Sequence, residues 1–266
     1  MRLTKHHGLG NDFLVLLDLD GIHEVSPEQA VALCDRRTGL GADGLVHATV
    51  GRDDADVSMR LLNADGSQAE MSGNGIRCLA QAVFQAGMVE PPVLRVATDA
   101  GVRTVQVLAQ ATAAQHRMSV EMGSAKVLGQ EPAWVGGEVG RAARVEVGNP
   151  HVVLEWTAAE PPTLEDLVAL GGRIDAATPG GANVEVLLPT STSERLEMVV
   201  YERGVGPTRA CGTGACAVAA AALEWGRGTT TSAVHMPGGV VEVVLGDPVL
   251  LVGDVASVAV LDTPWP

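Results

Sequence analysis

The chain alternates short apolar runs with polar breaks, and most of the runs have the length and composition of β-strands. They are five to eight residues long and rich in valine and leucine, which is typical of strands rather than of helices. The segments predicted as strands are FLVLLDL, VSMRLLN, LRVAT, RTVQVLA, RMSVEMG, RVEVG, HVVLEW, VEVLLP, LEMVVYER, VVEVVLG and SVAVLD.

Helical patterns are fewer than strand patterns. Two alanine-rich segments, IRCLAQAVFQAG and GACAVAAAALEWG, each begin after a G-x-G and end at a glycine, Gly87 and Gly226. Two shorter helices are predicted at 27–36, after a Ser26 cap, and at 163–170, where an acidic first turn follows a threonine.

An internal repeat organises these elements. Three blocks recur in the same order at offsets of 138 to 140 residues, and such agreement is hard to produce by chance. The pairs are GNDFLVL at 10–16 with GNPHVVL at 148–154, GADGLV at 41–46 with GANVEV at 181–186, and MRLLNADGSQAEMSGNG at 59–75 with MVVYERGVGPTRACGTG at 198–214.

The repeat predicts an α+β protein made of two pseudo-symmetric domains, each a β-sheet wrapped around a central helix. The predicted boundaries are 1–115 and 116–266, with a return of the last residues to the N-terminal domain left open. An approximate twofold axis between the halves would bring equivalent loops face to face. We therefore expect the active site in the cleft between the domains, with Ser72 opposite Cys211.

The twin loops are the candidate chemistry. A glycine-flanked loop that enters a helix gathers free backbone N–H groups at the positive end of the helix dipole, so each loop predicts an anion site. The P-loop Lys-Ser/Thr is missing from both loops, so a small carboxylate is favoured over a nucleotide. The helix end is expected to lower the pKa of the Cys211 thiol and to make it a base at the Cα of a bound amino acid.

Composition narrows the function classes. A net charge of −14 argues against nucleic acid and anionic membranes as partners, and no apolar run approaches the roughly 18 residues that span a bilayer. The N-terminus lacks a signal-peptide pattern, so we expect a cytoplasmic protein. The four cysteines show no metal-binding spacing, and Lys5 and Lys126 are the only lysines available for a Schiff base. We expect neither a metal nor another cofactor.

The motifs HGLGNDFLVL, RTGLGADGLV, NADGSQAEMSGNGIRC, GNPHVV, GANVEV and YERGVGPTRACGTGACA together resemble the signatures of the diaminopimelate epimerase family. The resemblance runs from residue 7 to about residue 222. It implies a homodimeric enzyme that interconverts LL- and meso-diaminopimelate, in lysine and peptidoglycan precursor synthesis, by a two-base mechanism without pyridoxal phosphate. The resemblance thus implies a small-molecule amino-acid substrate.

The resemblance also implies roles for individual residues. Cys211 stands at one of two catalytic cysteines, and His151 and Glu202 match residues that polarise the bases and contact the substrate amine. The positions matching substrate-binding residues are Asn11, Asn63, Asn149, Asn183 and Arg203, with Gly73, Asn74, Gly212 and Thr213 at the α-carboxylate. Simpler interpretations stay open: Glu202 and Arg203 as a surface ion pair, His151 as a structural residue, and Asn11 and Asn149 as residues that only shape their loops.

The sequence departs from the family pattern at one position, because Ser72 stands where the family has its other catalytic cysteine. A hydroxyl is a much weaker acid than a thiol, so we expect impaired epimerisation. Two alternatives stay open: a related cofactor-independent racemase or dehydratase of another amino acid, and a catalytically silent amino-acid-binding protein.

Overall fold

The structure is a computed structural model that describes residues 1–189 and 192–264. It divides into two compact units: unit 1 comprises Met1–Glu121 and Gly253–Pro266, and unit 2 comprises Met122–Val252. Compactness does not test whether each sequence repeat is a domain, so the boundary between residues 115 and 116 stays a prediction.

The two units share one order of secondary-structure elements. The first elements of unit 1 are β1 Arg2–Gly8, β2 Asn11–Leu17, α1 Pro27–Cys34, β3 Gly44–Val50, β4 Val57–Asn63 and β5 Gln68–Ala69. The central helix and the strands after it are α2 Gly73–Gln85, β6 Val93–Thr98, β7 Gly101–Thr112 and β8 Gln115–Gly123.

After β9 Lys126–Gln130, the same order returns in unit 2. The elements are β10 Val139–Glu146, β11 Pro150–Trp156, α3 Leu164–Ala177, β12 Asn183–Leu187, β13 Arg195–Glu202, β14 Gly206–Thr208, α4 Gly212–Glu224, β15 Thr231–Met236, β16 Gly239–Val244 and β17 Val249–Asp262. A 3-10 turn lies at Pro132–Trp134. The element order thus follows the sequence repeat.

In unit 1 the strands form a closed ring around α2. Pairing runs from β1 through β2, β3, β4, β6, β7 and β8 to the last part of β17, which pairs back with β1. The β2–β3 and β4–β6 pairs are parallel, as are their repeats β11–β12 and β13–β15 in unit 2. In unit 2, α4 packs against strands from β9 to β16. The prediction of an α+β fold with a strand-enclosed central helix in each half is confirmed.

Both central helices are almost entirely buried, and in α4 small residues let the surrounding strands approach the helix. From Gly212 to Ala222 every residue of α4 is buried, and eight of these eleven are alanine or glycine, the others being Thr213, Cys216 and Val218. Helix α2 is buried from Gly73 to Val83. Each helix is followed by a glycine with a positive φ, Gly87 and Gly226, as the sequence predicts.

The eleven predicted strands are confirmed, but six further strands were missed: β1, β3, β5, β9, β14 and β15. Two of these have only two or three residues, and the others contain histidine, lysine or glycine, which interrupt the apolar pattern. The predicted helix at 163–170 was too short, because α3 continues through Gly171 and Gly172 to Ala177. These glycines do not end the helix: a Cβ on Gly171 would lie 2.4 Å from the Tyr201 ring.

Candidate active site

Ser72 and Cys211 begin the two central helices with nearly the same backbone geometry. Each is the N-cap residue, with φ/ψ of −141/118 at Ser72 and −130/117 at Cys211. The Ser72 hydroxyl accepts the Gly75 N–H at 3.0 Å, and the Cys211 sulfur accepts the Gly214 N–H at 3.4 Å. The prediction that the helices begin after each G-x-G was therefore wrong. The glycines form the first helical turn, and a small acceptor side chain caps it.

In unit 1, a chain of hydrogen bonds fixes the amides around the Ser72 cap. Asn74 donates to the Asn11 side-chain oxygen at 3.1 Å, and Arg77 donates to the Asn74 oxygen at 2.6 Å. Asn11 in turn donates to Asp43 at 2.9 Å. The structure therefore brings Asn11 together with Gly73 and Asn74, as the predicted substrate site requires.

Asp43 also connects the loop that follows Asn63 to this network. The backbone N–H after Asn63, that of Ala64, donates to the Asp43 carbonyl at 3.0 Å, while the Asn63 side chain donates to Ser67. Arg36 bridges Asp12 and Asp43 at 2.6 Å each. Burial opposes the ionisation of Asp12, but hydrogen bonds from Arg36 and Lys5 outweigh it and lower its pKa to about 2. Lys5 is thus committed to an ion pair.

In unit 2, the Cys211 sulfur lies in a buried and acidic surrounding. The Thr213 hydroxyl is 3.4 Å from the sulfur, and the backbone N–H of Cys211 points at the Met236 sulfur. Burial raises the pKa of the Cys211 thiol well above its usual range, and the carboxylates of Glu202 and Glu185 raise it further. The predicted lowering of this pKa was therefore wrong, because desolvation and two negative charges outweigh the helix end.

His151 is held at both ring nitrogens inside unit 2. Its Nδ1 lies 2.8 Å from a Glu185 oxygen, and its Nε2 lies 2.8 Å from the side-chain oxygen of Asn149. Both His151 and Glu185 are fully buried. The structure thus bonds two predicted site residues, His151 and Asn149, directly to each other, and it pairs the second His151 nitrogen with a carboxylate that the sequence analysis missed.

Glu185 had a signal in the sequence, since a glutamate interrupts the apolar run VEVLL between Asn183 and the strand end. In the repeat it answers Leu45, and His151 answers Phe13. Reading the repeat for its differences, rather than for its identities alone, would have singled out this buried pair.

Asn183 and Arg203 lie together at the same end of unit 2. The Asn183 side chain accepts the backbone N–H of Arg203 at 3.0 Å and donates to the Pro150 carbonyl at 3.3 Å. The Arg203 side chain donates to the Gly180 carbonyl and passes over Gly181, where a Cβ would lie 2.6 Å from its Cδ. Glu202 accepts a hydrogen bond from the Thr208 hydroxyl.

Among residues 1–189 and 192–264, no group of three or more histidine, cysteine, aspartate or glutamate side chains is placed to hold a metal ion. None of the four cysteines is in a disulfide. Within the same ranges, no helix has the length and apolar character needed to cross a membrane.

Solved structures share this fold. A probable proline racemase from Agrobacterium radiobacter superposes with a TM-score of 0.75 at 16% identity, covering 100% of this chain and 93% of that one. A hydroxyproline epimerase from Agrobacterium vitis gives 0.73 at 18%, covering 99% and 90%. The fold is thus one that a racemase and an epimerase of imino acids also use.

Sequence comparison then identifies the family. The diaminopimelate epimerase family model matches residues 3–128 and 144–251. The chain is 38% identical over 253 residues to a diaminopimelate epimerase of Corynebacterium glutamicum, covering 92% of this chain and 91% of the relative. It is 40% identical over 263 residues to that of Mycolicibacterium smegmatis, covering 91% and 89%. The chain belongs to the diaminopimelate epimerase family, and it is an isomerase.

Proposed function

We propose that the protein converts LL-diaminopimelate into meso-diaminopimelate by proton transfer at Cα, and that Ser72 impairs this reaction. Membership of the family supports the substrate. The observation that carries the mechanism is the duplicated helix start, which presents a hydroxyl in unit 1 and a thiol in unit 2 on matching caps. Two such groups suit a reaction in which one group removes a proton from one face of a carbon and the other group delivers its own proton to the opposite face.

The proposed reaction needs no cofactor to take up the electron pair of the broken C–H bond. A base takes the Cα proton, the electron pair moves into the α-carboxylate as an ene-diolate, and an acid delivers a proton to the opposite face. Backbone N–H groups at Gly73 and Gly212, with Asn74 and Thr213, are the proposed donors to that carboxylate. Each lost donor of this kind typically raises a barrier by about 2.7–4 kcal/mol.

The structure supports a specific role for each of the two caps. Because its surroundings keep the Cys211 thiol protonated, Cys211 is suited to deliver a proton. In the proposed two-base reaction Ser72 must then act as the base, and a serine hydroxyl is a poor one. Glu202 and His151 are the proposed contacts of the substrate amine. Arg203 is the proposed partner of the distal carboxylate, with Asn11, Asn63, Asn149 and Asn183 as further substrate ligands.

The test is Cα exchange in D2O, followed by NMR with LL- and meso-diaminopimelate as separate substrates. We expect slow epimerisation, with deuterium entering one stereoisomer faster than the other because only one cap is a competent acid. Absence of exchange with either isomer, despite binding, would identify a silent binding protein. Release of water or exchange with another amino acid alone would identify the related racemase or dehydratase.

We also propose a homodimer that works in the cytoplasm. The family resemblance supports the dimer, and four cysteines without a disulfide among them suit a reducing compartment. Analytical ultracentrifugation should give twice the 27.4 kDa mass of one chain. Cell fractionation should recover the protein with cytoplasmic markers, and a monomer or an extracellular protein would contradict these two assignments.

A further inference from the structure

Glu185 is a buried carboxylate that the proposed chemistry does not use. It lies in β12 between Val184 and Val186, and none of its surface is exposed. Within the part of the chain that the structure describes, its Oε2 has no hydrogen-bond partner. A buried charge that is incompletely hydrogen-bonded destabilises a fold, so its presence needs a reason other than stability.

The Glu185 side chain connects His151 to the start of the Cys211 helix. One oxygen lies 2.8 Å from His151 Nδ1, and the other His151 nitrogen is bonded to Asn149. The same oxygen lies against Gly214, where a Cβ would approach it to 2.5 Å. Gly214 is also the residue whose N–H binds the Cys211 sulfur. The carboxylate therefore packs against the turn that Cys211 caps.

The fold itself does not require this arrangement. Unit 1 builds the same strands with Leu45 at the position of Glu185 and Phe13 at the position of His151, and both residues are buried. The polar pair thus occurs only in the repeat that carries the thiol. A purely structural role would have been met by the apolar pair.

We propose that Glu185 is a positioning residue of the proposed epimerase reaction, holding His151 and Asn149 in place beside the first turn of the Cys211 helix. This inference rests on the proposed function. Glu185 does not touch the substrate, because its contacts are His151 and the Gly214 backbone. Its negative charge also opposes ionisation of Cys211, so the thiol is kept as the proton donor.

The charges around the Cys211 sulfur come from several elements. Glu185 faces it from β12 and Glu202 from β13, while His151 on β11 lies behind Glu185. The neutral Thr213 hydroxyl lies 3.4 Å from this sulfur, and the Met236 sulfur of β15 accepts the backbone N–H of Cys211. Burial and the two carboxylates all raise the pKa of the thiol. Removing the Glu185 charge should therefore make Cys211 easier to ionise.

Two variants separate position from charge, and a third is the matched control. Glu185→Gln keeps an oxygen for His151 but removes the charge, whereas Glu185→Leu installs the residue of the other repeat and removes both. Glu155→Gln neutralises another buried glutamate of unit 2, which pairs with Arg141 and Arg227 rather than with His151. All three are made in a Ser72→Cys background so that turnover is measurable.

Two readouts are combined. Alkylation of Cys211 by iodoacetamide, located by mass spectrometry at several pH values, needs no substrate. For Glu185→Gln we expect alkylation at pH 8 to be about threefold faster or more, with the midpoint of its pH profile moved down. For Glu185→Leu we expect kcat to fall by about a hundredfold and KM to change far less, because misplaced groups slow the reaction. Glu185→Gln should retain more kcat than Glu185→Leu.

The control decides the outcome. If Glu155→Gln matches the Glu185 variants in both alkylation and kcat, or if the Glu185 variants leave both unchanged, Glu185 has no positioning role. If the background protein turns over no diaminopimelate, the proposed function fails, and the alkylation rates still decide whether Glu185 governs Cys211. Urea unfolding of each variant shows which of them are folded.

Discussion

Helices α2 and α4 share their length and cap geometry, but they differ in the side chains that they bury. Both have thirteen residues and share cap geometry and a terminal glycine, yet α2 buries Arg77 and Gln81 where α4 has Cys216 and Ala220. Unit 1 thus places its buried polar groups along the helix. Unit 2 keeps its helix apolar and places the polar pair of His151 and Glu185 beside the helix start. The two repeats share their secondary structure, and they differ in where their buried polar residues lie.

The polar network of unit 1 is satisfied by neutral histidines. Gln81 accepts from His6 Nδ1 at 2.8 Å and donates to His116 Nδ1 at 2.9 Å and to the Ala114 carbonyl at 3.0 Å. Thr4 completes the chain at the other nitrogen of His6. Five predictions use the contrast between the two helices, beginning with the largest expected effect.

The thiol is the feature of α4 on which activity should depend most. Replacing Cys211 by alanine in the Ser72→Cys protein removes a proton donor, which is expected to slow epimerisation by about 10³-fold or more. NMR exchange rates measure the loss. Cys34→Ala, in the core of unit 1, should leave the rate within about twofold. Equal losses in both variants would mean that Cys211 has no special role.

Restoring a thiol on α2 should make the two helix starts chemically alike. Ser72→Cys is expected to raise turnover of diaminopimelate by at least about tenfold, since a thiolate is a far better base than a hydroxyl at neutral pH. Ser58→Cys, in β4 of the same unit, serves as the control. Unchanged turnover in Ser72→Cys would show that residue 72 is not the missing base.

Gln81→Ala gives α2 the residue that α4 has at the equivalent position. The change leaves a cavity and removes the partners of His6 and of the Ala114 carbonyl, so unfolding should become easier by about 2–4 kcal/mol. Urea titration measures this loss. Gln85→Ala removes an exposed amide one turn further along the helix, and its expected effect is below about 1 kcal/mol. A loss no larger in Gln81→Ala would mean that the network contributes no stability.

The first-turn glycines test how closely each cap is packed. Gly214→Ala must displace the Glu185 carboxylate, whereas a Cβ at Gly75 meets only the Ser72 side chain at 3.2 Å and Met59 at 3.4 Å. We expect Gly214→Ala to destabilise by about 1–3 kcal/mol, and Gly75→Ala to be near neutral because alanine favours the helix. Denaturant midpoints compare the two variants. The reverse order would contradict the described packing.

The smallest expected effect is a pH dependence of stability from unit 1. Burial lowers the pKa of His6, although its bond to Gln81 raises it, and burial also lowers the pKa of His116. The unfolded chain therefore binds more protons, so stability is present above the unfolded value of about 6.5 and falls as pH drops below it. His116→Gln should make the decline between pH 7 and pH 5 shallower. An unchanged slope would exclude His116 as a contributor.

The sequence allowed most of the secondary structure to be predicted, but not the surroundings of the Cys211 thiol. Apolar runs and the repeat located eleven of the strands and both central helices, because these depend on local patterns. The pKa of Cys211 depends on Glu185 and Glu202, which lie 26 and nine residues away in sequence. An argument from the helix end takes only the local dipole into account, so it predicted a lowered pKa where the pKa is raised. Strand β1 was missed for a related reason. It pairs with β17, which is far away in sequence, and a local apolar pattern does not show such a pairing.

The pairing of β1 with the end of β17 has a consequence for biosynthesis. Residues 256–262 lie beside residues 2–7, and Met1 and Thr263 exchange two hydrogen bonds of 2.9 Å. On the ribosome, β1 therefore waits for a partner strand that is made much later, and all residues of unit 2 are made before the second segment of unit 1. Joining the two ends and opening the chain at an exposed turn would give a permuted protein in which that wait disappears.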